Sequence, residues 1–267
     1  MLAALIGRSL GRARGLLLGL AVLLCGFQLL IVMIAREIQQ SQAFPSITAF
    51  MPAPLQQLAG GLFFGSFSGL ASFGFVHPIV VLVLVEAAIF LAAEPAWEVE
   101  AGMVDVMMAR PVPRGLAVTR TLLVVLAATG GVLLLMVTST RLALHAFAPP
   151  GEPVPQLRTT VLLAVNLMAV TWWFGSFSLL VASLVRRRST ALGVAGLMAV
   201  FLYLLNLVAE IWPKARSFRF VTPFHYNNAP AFIRGSNEEW PADIALLLGA
   251  AAVLCVVAGQ LYARRDL

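Results

Sequence analysis

The densest group of charged residues in the chain lies between residues 94 and 114, where four carboxylates and two arginines occur within 21 residues. Met103, Val106, Met107 and Arg110 recur at the spacing that places side chains on one face of a helix. Acidic residues near the start of this helix and Arg110 near its end suit the helix dipole, and Pro111 ends it. The pattern predicts a short amphipathic helix with a methionine-rich face. Such a face suits either an adaptable docking surface or a helix lying on lipid headgroups.

Chemistry of other kinds has little support in the sequence. Lys214 is the only lysine and follows Trp212-Pro213, so the phosphate-binding pattern GxxxxGK is absent and ATP binding in that manner is excluded. His77, His145 and His225 are far apart, with no HExxH and no close set of Cys or carboxylate ligands. We therefore predict no catalytic residues, no metal site and no cofactor in this chain.

Three residues inside apolar segments could line a substrate path. Glu86 lies about two turns from one end of an apolar segment, at a depth where a carboxylate is costly and usually faces protein or water. It could contact substrate or titrate, or it could pair with a neighbouring helix or remain protonated. Trp172 and Trp173 could contact an apolar substrate or pack against lipid and helices. Asn166 and Asn206 are expected to hydrogen-bond between helices or to lie at the interface.

The segments that position these residues are long and apolar. Of the 267 residues, 60% are hydrophobic and 11% are charged, whereas soluble domains carry about 25% charged residues. A helix needs about 20 residues to cross a bilayer. The sequence predicts a single all-α transmembrane domain over residues 1–267, with spans at about 15–35, 72–93, 116–140, 159–184, 190–211 and 242–263.

Two further segments are apolar without being clear spans. Residues 58–71 could form a re-entrant or interfacial helix or the start of the second span, and a seventh crossing would place the termini on opposite sides. Leu2, Leu5, Ile6 and Leu10 recur at helical spacing opposite three arginines, which predicts a short interfacial helix over residues 2–14.

The distribution of arginine predicts the orientation. With six spans, 11 of the 18 basic residues lie on the side of the termini. Basic loops favour the cytoplasm, so both termini are expected there. The net charge of +6 indicates this topology and contact with anionic lipid headgroups, and because the arginines are split among separate loops, nucleic-acid binding is not predicted.

The charged loop also carries a resemblance. It reads Glu98-x-Glu100-x-Gly102-Met103-x-Asp105-x-Met107-Met108-Ala109-Arg110-Pro111-Val112-x-Arg114. This resembles the loop of type-2 ABC export permeases, which commonly reads E-x-E-x-G-T-x-D/E-x-L-L-x-x-P-x-x-R. Met103, Pro113 and the Met107-Met108 pair depart from the threonine, serine and leucines that are usual there. The motifs Phe75-x-His77-Pro78, Thr222-Pro223-Phe224-His225-Tyr226 and Arg264-Arg265-Asp266-Leu267 extend the resemblance over most of the chain.

The resemblance implies a permease of a bacterial-type cytoplasmic membrane. In that family the loop is a coupling helix that docks on a separate ATPase, which binds ATP and Mg²⁺. Two ATPase copies and a second permease copy, as a homodimer, are the implied partners, and the last outer loop lids the exit. The coupling residues implied here are Glu98, Glu100, Gly102, Met103, Asp105, Met107, Arg110, Pro111 and Arg114.

Two other functional classes stay open. A gradient-driven transporter or channel needs an ionisable route through the spans, for which Glu86 is the candidate. An intramembrane enzyme would need a catalytic set at depth, and His77 with Ser66, Ser68 or Ser72 is the only pairing that could serve.

Overall fold

The protein is an all-α polytopic membrane protein. A computed structural model describes residues 2–41, 66–103, 115–227, 232 and 240–264. Within these residues every regular element is a helix, and six helical segments are long and apolar enough to cross a bilayer. The prediction of six spans is therefore confirmed.

The α-helices are numbered here in chain order. They are α1 Leu2–Ser41, α2 Phe67–Ser72, α3 Pro78–Ala92, α4 Glu94–Glu100, α5 Gly115–Phe147, α6 Leu157–Leu184, α7 Arg188–Ile211 and α8 Trp240–Arg264. Within the described ranges three 3₁₀ helices accompany them, at Phe73–Phe75, Pro213–Val221 and Pro223–Tyr226.

Helix α1 is longer than the span predicted at 15–35. Residues 2–14 are helical, as expected, but they continue into the span without a break. The sequence contains no proline before Pro45, so no residue in this stretch interrupts the backbone hydrogen bonds. The amphipathic N-terminal segment and the first span are consequently one helix.

The second span is built from several shorter pieces. The Ser66 hydroxyl accepts a hydrogen bond from the Gly69 amide at 3.1 Å and caps α2, which occupies the end of the ambiguous 58–71 segment. Residues 58–65 lie outside the described part of the chain. His77 then caps α3, because its Nδ1 accepts from the Ile79 amide at 3.3 Å, and Pro78 occupies the first helical position. The Phe-x-His-Pro motif thus restarts the helix.

Helix α6 lies at the centre of the bundle. In its most apolar window 67% of residues are buried within the protein, against 17% in α8. It packs against α3, α5, α7 and α8, while α1 packs along α5. Helix α7 turns a stripe of small residues inward, with Ala191, Ala195 and Ala199 fully buried, and small side chains allow close helix packing in lipid.

Both termini lie at the same end of the bundle. Ala13 of α1, Val118 of α5 and Tyr262 of α8 belong to one buried cluster, which brings the beginning and the end of the chain together. We call this end proximal and the opposite end distal. The arrangement agrees with an even number of crossings.

The 3₁₀ segments that follow α7 pack on the distal end of the bundle. Phe224 is 5% exposed and packs between Phe174 of α6 and Tyr203 of α7, with ring centroids at 4.9 and 5.3 Å. The Asn166 amide donates to the Tyr226 carbonyl at 2.9 Å, and the Thr222 hydroxyl donates to Asn206 Oδ1 at 3.2 Å. The two asparagines therefore fix the distal loop to the spans.

Candidate functional site

The predicted coupling segment begins as a continuation of the second span. Helix α4 runs from Glu94 to Glu100 and ends where Gly102 adopts φ +65°, a left-handed conformation that favours glycine. Glu98 and Glu100 therefore belong to α4, and not to the start of a helix shared with Met103, as the spacing predicted. Met103 follows the turn. The remaining predicted coupling residues lie outside the described part of the chain, namely Asp105, Met107, Arg110, Pro111 and Arg114.

Glu98 forms a buried ion pair with the third span. Its Oε1 lies 2.7 Å from Nη1 of Arg120 on α5, and the side chains are 3% and 2% exposed. Nη2 of Arg120 lies 3.8 Å from Oε2 of Glu94. A buried charge needs such a partner, because removing it from water is unfavourable. The Glu98 carboxylate is thus occupied inside the protein and fixes α4 to α5.

Glu94 connects α4 to the first span. Its Oε1 accepts a hydrogen bond from the Ser9 hydroxyl at 3.0 Å and pairs with the Arg12 guanidinium. The Arg12 guanidinium also lies over the Trp97 ring, 4.5 Å from its centroid. The amphipathic start of α1, with its predicted arginine face, therefore packs against α4.

Glu100 connects α4 to the fifth span. Its Oε2 accepts a hydrogen bond at 2.9 Å from the backbone amide of Arg188, the first residue of α7. A carboxylate at this position satisfies a free amide and interacts favourably with the helix dipole. The Arg188 guanidinium lies 4.1 Å from the Phe90 ring centroid and donates to the Phe90 carbonyl at 3.2 Å.

Together these contacts form a proximal ion-pair cluster, which we define as Glu94, Glu98, Glu100, Arg12, Arg120 and Arg188. It attaches one short helix to three spans. A cavity of about 240 Å³ opens beside it, lined by Ser9, Arg12, Ala13, Phe90, Leu91, Glu94, Trp97 and Arg188.

The chemistry of the cluster is structural. Each of its three carboxylates has a hydrogen-bond or ion-pair partner within the protein. Over the described residues, no group of His, Cys, Asp or Glu is arranged to hold a metal ion. The arrangement attaches α4 to α1, α5 and α7.

The basic half of this cluster was not predicted as part of the site. In the sequence Arg12, Arg120 and Arg188 indicated orientation, and Arg12 also marked the polar face of the predicted N-terminal helix. The available signal was their position, because each lies within one or two turns of the proximal end of a span. Four carboxylates in one loop need partners, and these arginines are at the matching depth.

Glu86 lies on the surface of the bundle and faces α7. Its side chain is exposed, and a methyl group built on Gly196 would lie 3.3 Å from a carboxylate oxygen of Glu86. No ion pair or hydrogen bond to Glu86 is formed by the described residues. The structure thus places this carboxylate in a groove between α3 and α7.

The two tryptophans lie on α6. Trp173 packs in an aromatic cluster, stacked on Phe177 at 5.8 Å and edge-on to Phe174 at 4.9 Å. Trp172 is half-buried, and its indole Nε1 is buried with no hydrogen-bond partner among the described residues. Neither ring shares a hydrogen bond with Glu86 in the described part of the chain.

Comparisons with known proteins neither support nor contradict these inferences. The chain matches no protein-family model and no curated protein sequence.

Proposed function

We propose that this chain is the membrane-spanning permease subunit of an ATP-driven exporter whose ATPase is a separate polypeptide. The observation that carries the proposal is the attachment of α4 to three spans at once. A protein that pushed on the segment after Gly102 would move a helix already connected to α1, α5 and α7. The resemblance of this segment to the coupling loop of type-2 ABC export permeases agrees with that use.

The proposed assembly contains two permease copies and two ATPase copies. ATP and Mg²⁺ would bind to the ATPases, because the permease sequence has no GxxxxGK motif. Closure of the ATPase pair would displace both α4 helices and switch the spans between two packings. The arginine-rich proximal end would face the cytoplasm of a bacterial-type inner membrane.

Purification from native membranes tests the proposal. Affinity-purified chain is expected to bring down an ATPase polypeptide, and Mg²⁺-dependent ATP hydrolysis should fractionate with that polypeptide. Glu100→Ala should reduce the coupling of hydrolysis to transport, because it removes the acceptor at the start of α7. Glu37→Ala, at an exposed carboxylate near the distal end of α1, is the matched control. ATP hydrolysis by the isolated chain would contradict the proposal.

A gradient-driven transporter is the second candidate. The carboxylate of Glu86, which has no ion-pair partner among the described residues, favours it. Such a protein would move substrate in liposomes that contain this chain alone, under an imposed proton or ion gradient. The exporter requires the ATPase and ATP for the same flux.

A further inference from the structure

We infer that the groove between α3 and α7 binds a hydrophobic organic cation, held by the carboxylate of Glu86. The inference rests on the proposed function, because it names the class of substrate that the exporter would carry. Three features of Glu86 support the inference: its depth, the absence of an ion-pair partner among the described residues, and the open surface of α7 beside it.

Glu86 lies deep in the hydrocarbon. Eight residues separate it from Glu94 of the proximal cluster, and Gly196, which faces it, is eight residues from Arg188 of the same cluster. At about 1.5 Å per residue, both helices place the carboxylate about 12 Å from the charged layer. The hydrocarbon core is about 30 Å thick, so this position is near its middle.

A second copy of the chain cannot supply a positive charge from the middle of its spans. Residues 15–35, 121–140, 159–184, 189–211 and 242–263 contain no lysine or arginine. Lipid tails carry no charge either. A carboxylate at this depth requires a partner or a polar surrounding. A cation that enters the groove from outside the chain meets that requirement.

The surface of α7 beside Glu86 carries no bulky side chains. The carboxylate lies so near Gly196 that an added methyl group would be 3.3 Å from it, whereas a methyl group on Gly193, one turn away, would meet no atom within 4 Å. Exposed apolar side chains lie one turn from Glu86 and Gly196, namely Phe90, 39% exposed, and Val200, 44% exposed. These apolar side chains favour a ligand in which the positive charge is attached to hydrophobic groups.

The guanidinium of Arg188, a cation of the protein itself, already lies at the proximal end of the groove. Phe90 is one turn from Glu86, and the Arg188 guanidinium lies over its ring. A ligand cation one turn deeper would lie between this ring and the carboxylate, both of which attract positive charge. Arg188 would then separate the ligand from the proximal surface.

Equilibrium binding of radiolabelled tetraphenylphosphonium to the purified full chain in lipid nanodiscs tests the inference without an ATPase. Wild-type chain should bind the cation, and Glu86→Gln should weaken binding by about tenfold or more, because a low-dielectric charge pair is lost. Glu86→Asp, which keeps the charge, should retain most of the affinity. Glu37→Gln should bind as wild type does. Equal binding by wild type and Glu86→Gln would overturn the inference.

A measurement on the unmodified chain covers the case in which Glu86→Gln fails to fold. Triphenylphosphine oxide has a similar apolar body without the charge, so it should compete at least about tenfold more weakly than the cation. Equal competition would overturn the inference. Glu86-dependent cation binding in a chain that never associates with an ATPase would support the cation site and contradict the exporter. ATP-driven transport with no charge preference would do the reverse.

Discussion

Glu98 and Arg120 are two charged side chains in a part of the protein that excludes water. Removing either one leaves the other charge buried and unpaired, which lowers the stability of the fold. Both side chains are at most 3% exposed. Glu94, the next nearest carboxylate to Arg120, is 3.8 Å away and also pairs with Arg12. It cannot fully replace Glu98.

Glu98→Ala should therefore destabilise the protein by about 3–5 kcal/mol, the usual effect of leaving one buried charge unpaired. Thermal unfolding of the purified chain in detergent measures this, and Glu37→Ala provides the control. A double variant, Glu98→Leu with Arg120→Leu, should recover much of the loss because no charge is left unpaired. A Glu98→Ala variant as stable as wild type would show that the pair is not formed.

Gln28 is a fully buried amide against the backbone of Gly74. A methyl group on Gly74 would lie only 2.3 Å from Gln28 Oε1 and 2.7 Å from its Nε2. Gly74→Ala must displace this side chain and should lower stability by about 1–3 kcal/mol, as overpacking does. Combining it with Gln28→Ala should restore part of the loss. Additive losses in the double variant, measured by thermal unfolding, would contradict the contact.

At this scale the sequence singled out two carboxylates of α4 but did not indicate what they contact. Glu98 and Glu100 stood out because charge is scarce in this chain. Their partners, Arg120 and Arg188, lie 22 and 88 residues away, and sequence spacing contains no information on contacts between separate spans.

Helix α4 is the element on which the proposed coupling depends, and the turn at Gly102 sets its end. The positive φ of Gly102 is unfavourable for alanine by about 1–2 kcal/mol, while asparagine tolerates it better. Gly102→Ala should therefore reduce ATP-driven transport in reconstituted vesicles more than Gly102→Asn does. Membrane insertion should stay intact in both, as judged by yield after detergent extraction. Equal transport by the two variants would show that coupling does not depend on the conformation of this turn.

The distal 3₁₀ segment offers a test of pH dependence. Burial, assisted by the Arg219 guanidinium, lowers the pKa of His225 below its usual value, while Glu210 and Asp243 act in the opposite direction. The docked loop thus prefers neutral His225. As pH falls below about 6.5, His225 of an undocked loop becomes protonated first, so docking weakens on acidification.

Limited proteolysis between residues 213 and 226 should accordingly be faster at pH 5.5 than at pH 7.5. His225→Asn should remove most of this difference, because no group with the shifted pKa remains. Equal pH dependence in wild type and His225→Asn would assign the effect to another residue.

Element types were predictable because a helix is the natural way to satisfy backbone groups in lipid. Five of the six spans begin or end within a few residues of their predicted bounds. Helix α1 extends past its predicted span at both ends, and α5 extends past its predicted end. The second span was the least predictable element. Its interruption at His77-Pro78 depends on capping and proline geometry inside an unbroken apolar run.

The arrangement of the six spans as a whole molecule could not be predicted from apolar content. In a membrane protein, the helix surfaces that face other helices and those that face lipid are both apolar. The periodicity that identifies a buried helix face in soluble proteins is therefore weak. That α6 is central and α8 peripheral follows from packing that the composition of these helices does not distinguish. Small residues mark one contact face in the structure, since Ala191 and Ala195 of α7 are fully buried.

Orientation and the ATPase partner belong to the same scale, since both concern which surface the whole molecule presents to each compartment. The account requires the proximal end to face the cytoplasm and to contact an ATPase beyond Gly102. The distal loop, with exposed Phe218 and Phe220, must then face the other side.

Cysteine cross-linking tests this most directly. In a chain with Cys25 and Cys255 replaced by serine, Met103→Cys marks the proximal end and Ser217→Cys marks the distal 3₁₀ segment. In intact cells a membrane-impermeant maleimide should label Ser217→Cys and leave Met103→Cys unlabelled. In isolated membranes a short bifunctional reagent should join Met103→Cys, but not Ser217→Cys, to an ATPase polypeptide. Labelling of Met103→Cys from outside, or an ATPase joined to Ser217→Cys instead, would contradict the account.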